Sequence, residues 1–193
     1  MTITKKRNDG YCIYIATWKD FSIIKKKISN LSEETKQFYD PWMFKEKPKL
    51  KIKLGQLFAR LSLIKPIGNF LKIIFPYSYT IILKCTTKDN EITGMMAMYH
   101  FKKLKGNKYS VVESKVVFEE FQNKGIASFL TESYLELAKK ENVKIILSGT
   151  RTDNYANKKI YEKFNWELKK IEKNGILIRH KWYDMDHWHK EIN

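Results

Sequence analysis

Cysteine is scarce in this chain, with two in 193 residues. Cys12 and Cys85 stand in apolar, strand-like contexts, and neither has metal-ligand spacing. A lone pair does not make the disulfide framework of a small secreted domain, so buried reduced thiols are expected. Long apolar runs are also missing. The best membrane candidate, Leu61 to Leu83, is interrupted by Lys65, Pro66, Gly68, Lys72 and Pro76, which makes it a poor transmembrane helix. Met1 to Gly10 is basic, but no signal-peptide apolar core with a small-residue cleavage site follows it. A cytoplasmic protein is the expectation. Internal repeats, low-complexity tracts and interdomain linkers are absent. Acidic residues are the minority, 21 against 37 Lys and Arg, for a net charge of +16. Such a surface favours anionic partners. The signal is discounted because Lys, Asn and Ile are abundant together, as AT-rich coding alone can produce.

What is present suits one compact domain over residues 1–193, with 43% hydrophobic and 14% aromatic residues. Tyr11 to Thr17 reads as a first strand and Trp18 to Ile28 as a helix. A second helix starts near Ser32, before Pro41-Trp42 breaks the pattern. Leu54 to Ile64 reads as an amphipathic helix, and Pro66 opens a further short one. Ordinary core packing is preferred there over a membrane-surface helix. Tyr79 to Thr86 and Ile92 to Phe101 read as strands joined by the turn Lys88-Asp89-Asn90-Glu91. Late in the chain, Leu168 to Glu172 and Ile176 to Trp182 flank Asn174-Gly175, a hairpin signal. The tail from Trp182 to His189 mixes carboxylates and histidines, but it is read as flexible and no metal is assigned to it.

The organising stretch is Val116 to Leu130. A β-like run, Tyr109 to Phe118, feeds a short polar link and then an amphipathic helix. Ile126, Phe129, Leu130, Tyr134, Leu137 and Ala138 recur at helical spacing. The helix is expected to begin near Lys124. Its first turn carries unpartnered amides and partial positive charge, which suits a phosphate. Gly125 lets the backbone approach closely, and Ala127 is the next smallest choice. The plainer alternative is a strand-glycine-helix junction that only makes a turn.

Here the chain resembles the GNAT superfamily of acyl-CoA-dependent N-acyltransferases. Their central motif, Gln/Arg-x-x-Gly-x-Gly/Ala, matches Gln122-Asn123-Lys124-Gly125-Ile126-Ala127. A second block raises the specificity. After the strand Val143 to Leu147, Asn154, Tyr161 and Glu162 match the family's Asn-x-x-Ala-x-x-x-Tyr-Glu-x-x-Gly-Phe. Asn157 stands where alanine is usual, Asn165 replaces glycine and Trp166 replaces phenylalanine. Asn165 is a mild change if that position is left-handed. Asn154, with Asp153, also suits a helix cap.

The resemblance implies a mixed, mostly antiparallel sheet of about six or seven strands flanked by helices, an α/β (α+β) fold. It implies direct transfer of an acetyl group from acetyl-CoA, as cosubstrate and with no metal, to a primary amine. A small-molecule acceptor is the leading expectation. The alternatives are a macromolecular acceptor (a protein amine or aminoacyl-tRNA) and a non-catalytic acyl-CoA-binding module. It also implies that Val116, Val117 and Phe118 line the pantetheine arm. Gln122, Asn123, Lys124, Gly125, Ile126, Ala127 and Ser128 then hold the pyrophosphate, with Asn154 and Tyr161 completing the cofactor contacts. Tyr161 is the expected proton donor to the coenzyme sulfur. Glu113 is the candidate base, since Val111, Glu113, Lys115 and Val117 share a strand face if no bulge intervenes. Glu119, Glu120 and His100 are weaker choices. Nucleic acid is not favoured as a partner, and a monomer or homodimer is expected.

Overall fold

A computed structural model of the chain describes residues 3–32, 80–104, 107–178 and 180–192. The helices expected near Ser32 and over Leu54 to Ile64, and the one opened by Pro66, fall almost wholly outside the described residues. The described part is built on eight strands, in chain order β1 Ile3–Lys6, β2 Cys12–Ile15, β3 Thr80–Thr86, β4 Ile92–Leu104, β5 Asn107–Val117, β6 Ile145–Arg151, β7 Glu167–Ile178 and β8 Lys181–Glu191. They form one sheet in the order β1-β2-β3-β4-β5-β6-β8-β7. Every neighbouring pair is antiparallel except β5 and β6, which run parallel. The mixed, mostly antiparallel sheet is thus as expected. The strand number is higher than six or seven because basic Ile3–Lys6, not recognised as a strand, adds an edge to β2.

Among the described residues, three α-helices flank the sheet: α1 Trp18–Ser29, α2 Ile126–Lys140 and α3 Tyr155–Lys163. At the start of α1, Asp20 accepts hydrogen bonds from the Thr17 amide (2.6 Å) and hydroxyl (2.8 Å). It also pairs with buried Lys84 of β3 at 2.7 Å. Burial pulls the Asp20 pKa up, but Lys84 and Thr17 outweigh it and hold the carboxyl below its ordinary range. All six residues of the expected apolar face of α2 are buried in the main core with Ile81, Leu83, Met96, Met98 and Val116. Burying such a face gives a helix of this length most of its stability.

Two features of β5 position the site. It pairs with β6 over only four positions, Tyr109↔Ile145 to Val112↔Ser148. On its other edge, Met98 faces Val112 while Ala97 faces Ser114, so Glu113 is an extra residue in the ladder. Such a bulge bends its strand. The bend falls where β5 and β6 stop pairing, and beyond it the two strands turn unpaired edges toward each other.

Candidate functional site

The phosphate end is built from the loop after β5. Val117 ends the strand, and Phe118, buried, leads into a 3-10 turn over Glu119–Phe121. The exposed Gln122 amide donates back to the Val117 carbonyl at 3.4 Å. Asn123 (φ 60°) and Gly125 (φ 72°) are both left-handed, so the loop curls on itself before α2 begins at Ile126. The helix therefore starts two residues later than Lys124. Gly125 occupies the N-cap and offers no side chain, so the first-turn amides of Ile126, Ala127 and Ser128 have no side-chain acceptor. No acidic side chain lies in that turn. The glycine is needed for its conformation, since a left-handed φ is strained for most L residues.

Lys124 does not reach over this turn. Its Nζ donates to the Glu120 carbonyl at 3.0 Å and rests on the Phe121 ring. Positive charge comes instead from Arg7, after β1, which sequence reasoning did not single out. One Arg7 nitrogen donates to the Lys124 carbonyl at 2.9 Å, and the guanidinium lies 5.5 Å from the Phe129 ring centre. Asp9 accepts from Nε and from that same Nη2, and raises the Arg7 pKa. Nothing local in the sequence ties Arg7 to a loop 117 positions away.

The other end is built on α3. Asn154 caps it, its side-chain oxygen accepting from the Asn157 amide at 3.2 Å. Asn157 donates from its side chain to the Thr150 hydroxyl at 3.3 Å, so this departure ties α3 to β6. Tyr161 is 3% exposed, and its hydroxyl lies 2.7 Å from that of Ser148. Its ring packs against Trp166 and Trp188, at 5.0 and 5.2 Å between centroids. Burial pushes the Tyr161 pKa up to about 12, against the opposing Ser148 hydrogen bond, so the phenol stays protonated at neutral pH. Ser148 is the β6 partner in the last β5–β6 pair, which sets the phenol at the point where the strands part. It lies one residue beyond the strand run read from sequence, so its alternation was not followed to the site.

Lys115 adds a further group between these ends. Its Nζ donates to the Thr131 hydroxyl oxygen of α2 at 3.2 Å and stands 5.4 Å from the Tyr161 ring centre. Glu113 sits at the bulge itself, so the condition for an unbroken face from Val111 to Val117 is not met. The Glu113 and His100 side chains lie outside the described part. Glu120 pairs with Lys27 at 3.0 Å, and Glu119 accepts from the Ser32 amide at 3.0 Å, so both carboxylates are engaged with α1 and the residues after it.

The tail expected to be flexible is instead β8, hydrogen-bonded on both edges. Asp186, fully buried, accepts from the Thr152 hydroxyl at 2.6 Å and pairs with Lys158 at 3.1 Å. His187 bonds to Glu172 at 2.7 Å. Among the described residues, no group of three or more His, Cys, Asp or Glu is placed to hold a metal. No described helix is long and apolar enough to cross a membrane.

The chain is similar over its whole length to several solved structures. A ribosomal L7/L12 alpha-N-protein acetyltransferase in complex with coenzyme A is 14% identical with a TM-score of 0.71, covering 99% of this chain and 98% of that one. A ribosomal-protein-S5-alanine acetyltransferase from Vibrio fischeri is 14% identical with a TM-score of 0.70, covering 97% and 96%. A putative acetyltransferase from Salmonella typhimurium with its cofactor acetyl-CoA is 11% identical with a TM-score of 0.67, covering 95% of each chain. At these identities the likeness establishes the fold. No curated protein sequence matches the chain. The acetyltransferase (GNAT) family matches residues 33–166, which include both the Gln122–Ala127 loop and Tyr161. The chain belongs to the acetyltransferase (GNAT) family.

Proposed function

We propose that this chain transfers acetyl from acetyl-CoA to the amine of a protein acceptor. The observation that carries the transfer chemistry is the parting of β5 from β6 after Val112↔Ser148, with an uncapped helix start at one end and the Tyr161 hydroxyl at the other. An extended arm bearing amides can lie along the free strand edges as an added strand does. Backbone of Val116, Val117 and Phe118 borders that arm. The pyrophosphate lies against the loop from Gln122 to Ser128 and takes the open amides of the α2 first turn, with Arg7 adding charge beside them. Asn154 sets the α3 start that presents Tyr161.

Transfer then needs three things. The acceptor amine must be unprotonated, and Glu113 at the bulge is the proposed base, directly or through water. The thioester oxygen needs an amide donor as it becomes an oxyanion, and the bent β5 edge has amides free of β6 to supply it. The leaving thiolate needs a proton, and Tyr161 holds one.

The acceptor class rests on separate grounds. Two of the similar structures carry names of enzymes that acetylate ribosomal proteins, and each covers nearly the full chain. That favours a protein amine over the small amine expected from sequence.

Isothermal titration with acetyl-CoA tests the cofactor part. Saturable binding is expected, and Gly125→Glu should abolish it by setting a carboxylate against the pyrophosphate and straining the left-handed N-cap. Absence of binding to the unaltered chain would remove the transferase reading. Release of coenzyme A with peptides bearing a free amino terminus, compared with a panel of small amines, tests the acceptor. Turnover with a small amine and none with any peptide would return the acceptor to the small-molecule class.

A further inference from the structure

The proposed transfer employs Tyr161, Glu113 and the loop before α2, and it leaves one reactive group in the same slot without a task. Lys115 lies on β5 two residues past the bulge, opposite Met96 of β4. The Thr131 hydroxyl donates its own proton to the Ala127 carbonyl at 2.9 Å, so its lone pair is free to receive the Lys115 amine. From α3 the amine faces the Tyr161 ring. The groups described around it are thus Thr131 of α2, Tyr161 of α3 and Met96 of β4, of which only Tyr161 titrates. Carboxylates nearby on α2 are engaged elsewhere: Glu132 and Glu136 pair with Lys5 at 3.0 and 2.6 Å. With burial and no opposing charge among the described residues, the Lys115 pKa is pushed down to about 7. An ordinary lysine titrates at about 10.4.

The position follows the cofactor's course. Ala127 belongs to the phosphate end, and Thr131 is one helical turn further along α2. Tyr161 marks the thiol end. An amine bonded to Thr131 and set over Tyr161 stands beside the last stretch of an arm running from one to the other.

We propose that Lys115 is a self-acetylation site, modified by acetyl-CoA bound in the chain's own slot. The inference rests on the function proposed above. The Lys115 nitrogen lone pair attacks the thioester carbonyl carbon. A nitrogen–carbon bond forms, the carbon–sulfur bond breaks, and its electron pair leaves on sulfur. Nitrogen gives up one proton and the thiolate takes one, with the Tyr161 hydroxyl as the nearest donor. An amine and a thioester become an amide and a thiol, and no further reactant is required. The amide no longer titrates near neutrality and is bulkier than the amine. Modification therefore removes a nucleophile from the slot and narrows the path of the next cofactor.

The test is incubation of the full chain with acetyl-CoA and no acceptor, followed by intact mass and peptide mapping, with titration calorimetry on the same sample. One acetyl group per chain is expected, on Lys115 ahead of every surface lysine. Below neutrality its rate should rise about tenfold per pH unit with the unprotonated fraction, and it should level off above it. Lys115→Met keeps a chain of similar length without the amine, and it should lose this adduct while the slow background on other lysines persists. Acetyl-CoA bound in the calorimeter with Lys115 unmodified, or modified no faster than surface lysines, would overturn the inference and leave the proposed function intact. Absence of both binding and adduct would overturn the two together.

Discussion

Tyr161 combines two properties that pull against each other in most side chains. It is buried among Trp166 and Trp188, yet its hydroxyl keeps a partner in Ser148. Burial raises its pKa, so the phenol stays protonated at neutral pH and keeps an O–H to offer a nascent thiolate. Tyr161→Phe removes the hydroxyl and keeps the ring. Turnover should fall about 10²-fold, with acetyl-CoA affinity and melting temperature nearly unchanged. Wild-type turnover in that variant, read by coenzyme A release, would exclude Tyr161 as the essential proton donor. Much of this residue's place was legible, because Asn154 and Tyr161 stand seven apart on one helix face. Its partner was not. Ser148 stands on β6, the strand just before α3, and only the parting of β5 from β6 gives it meaning. Lys115 was legible only as sharing a strand run with Glu113, and its contacts with Thr131 and Tyr161 depend on how α2 and α3 pack on the sheet.

At the scale of elements, the end of α3 explains how a departure from the family pattern is absorbed. Asn165 has φ 53°. Its amide donates to the Glu162 carbonyl at 3.0 Å, and the Trp166 amide donates to the Tyr161 carbonyl at 2.9 Å. This is the paired closure of a Schellman motif, and asparagine tolerates the left-handed position better than other residues with a Cβ. Asn165→Ala should destabilise the fold by about 1 kcal/mol and Asn165→Gly should not, as measured by urea denaturation. Equal stability of the two variants would contradict the assignment.

Turn signals were less legible where two long strands carry an irregularity. Asn174-Gly175 reads as a hairpin turn, yet β7 runs through it to Ile178, which pairs with Lys181 at the start of β8. Asn174 is left-handed, and the register with β8 shifts between Glu172 and Ile176. A Cβ on Gly175 would come within 2.9 Å of the Met185 Cβ, so close strand approach at a bulge requires this glycine. The Asn174 amide finds Asp184 at 3.0 Å, a partner supplied by the opposite strand. Local chemistry announced a break in regularity but could not say whether the strand ended or bulged.

At the scale of the whole molecule, the sheet is one object by strand order and nearly two by bonding. The first five strands form one ladder and the last three another, and four residue pairs join them. The inner amides of β5 beyond Val112 have no β6 partner, so solvent deuterium can reach them while the ladders on either side stay closed. A bound acetyl-CoA arm would cover that seam. Deuterium uptake over residues 113–118 should therefore slow when acetyl-CoA is added, by more than uptake in β2 or β3, and coenzyme A lacking the acetyl group should slow it nearly as well. Unchanged uptake at saturating cofactor would mean that the arm lies elsewhere. Seen this way the Glu113 bulge is a clock as well as a bend: one surplus residue sets which amides the solvent can count, and a ligand that finishes the sheet stops the count.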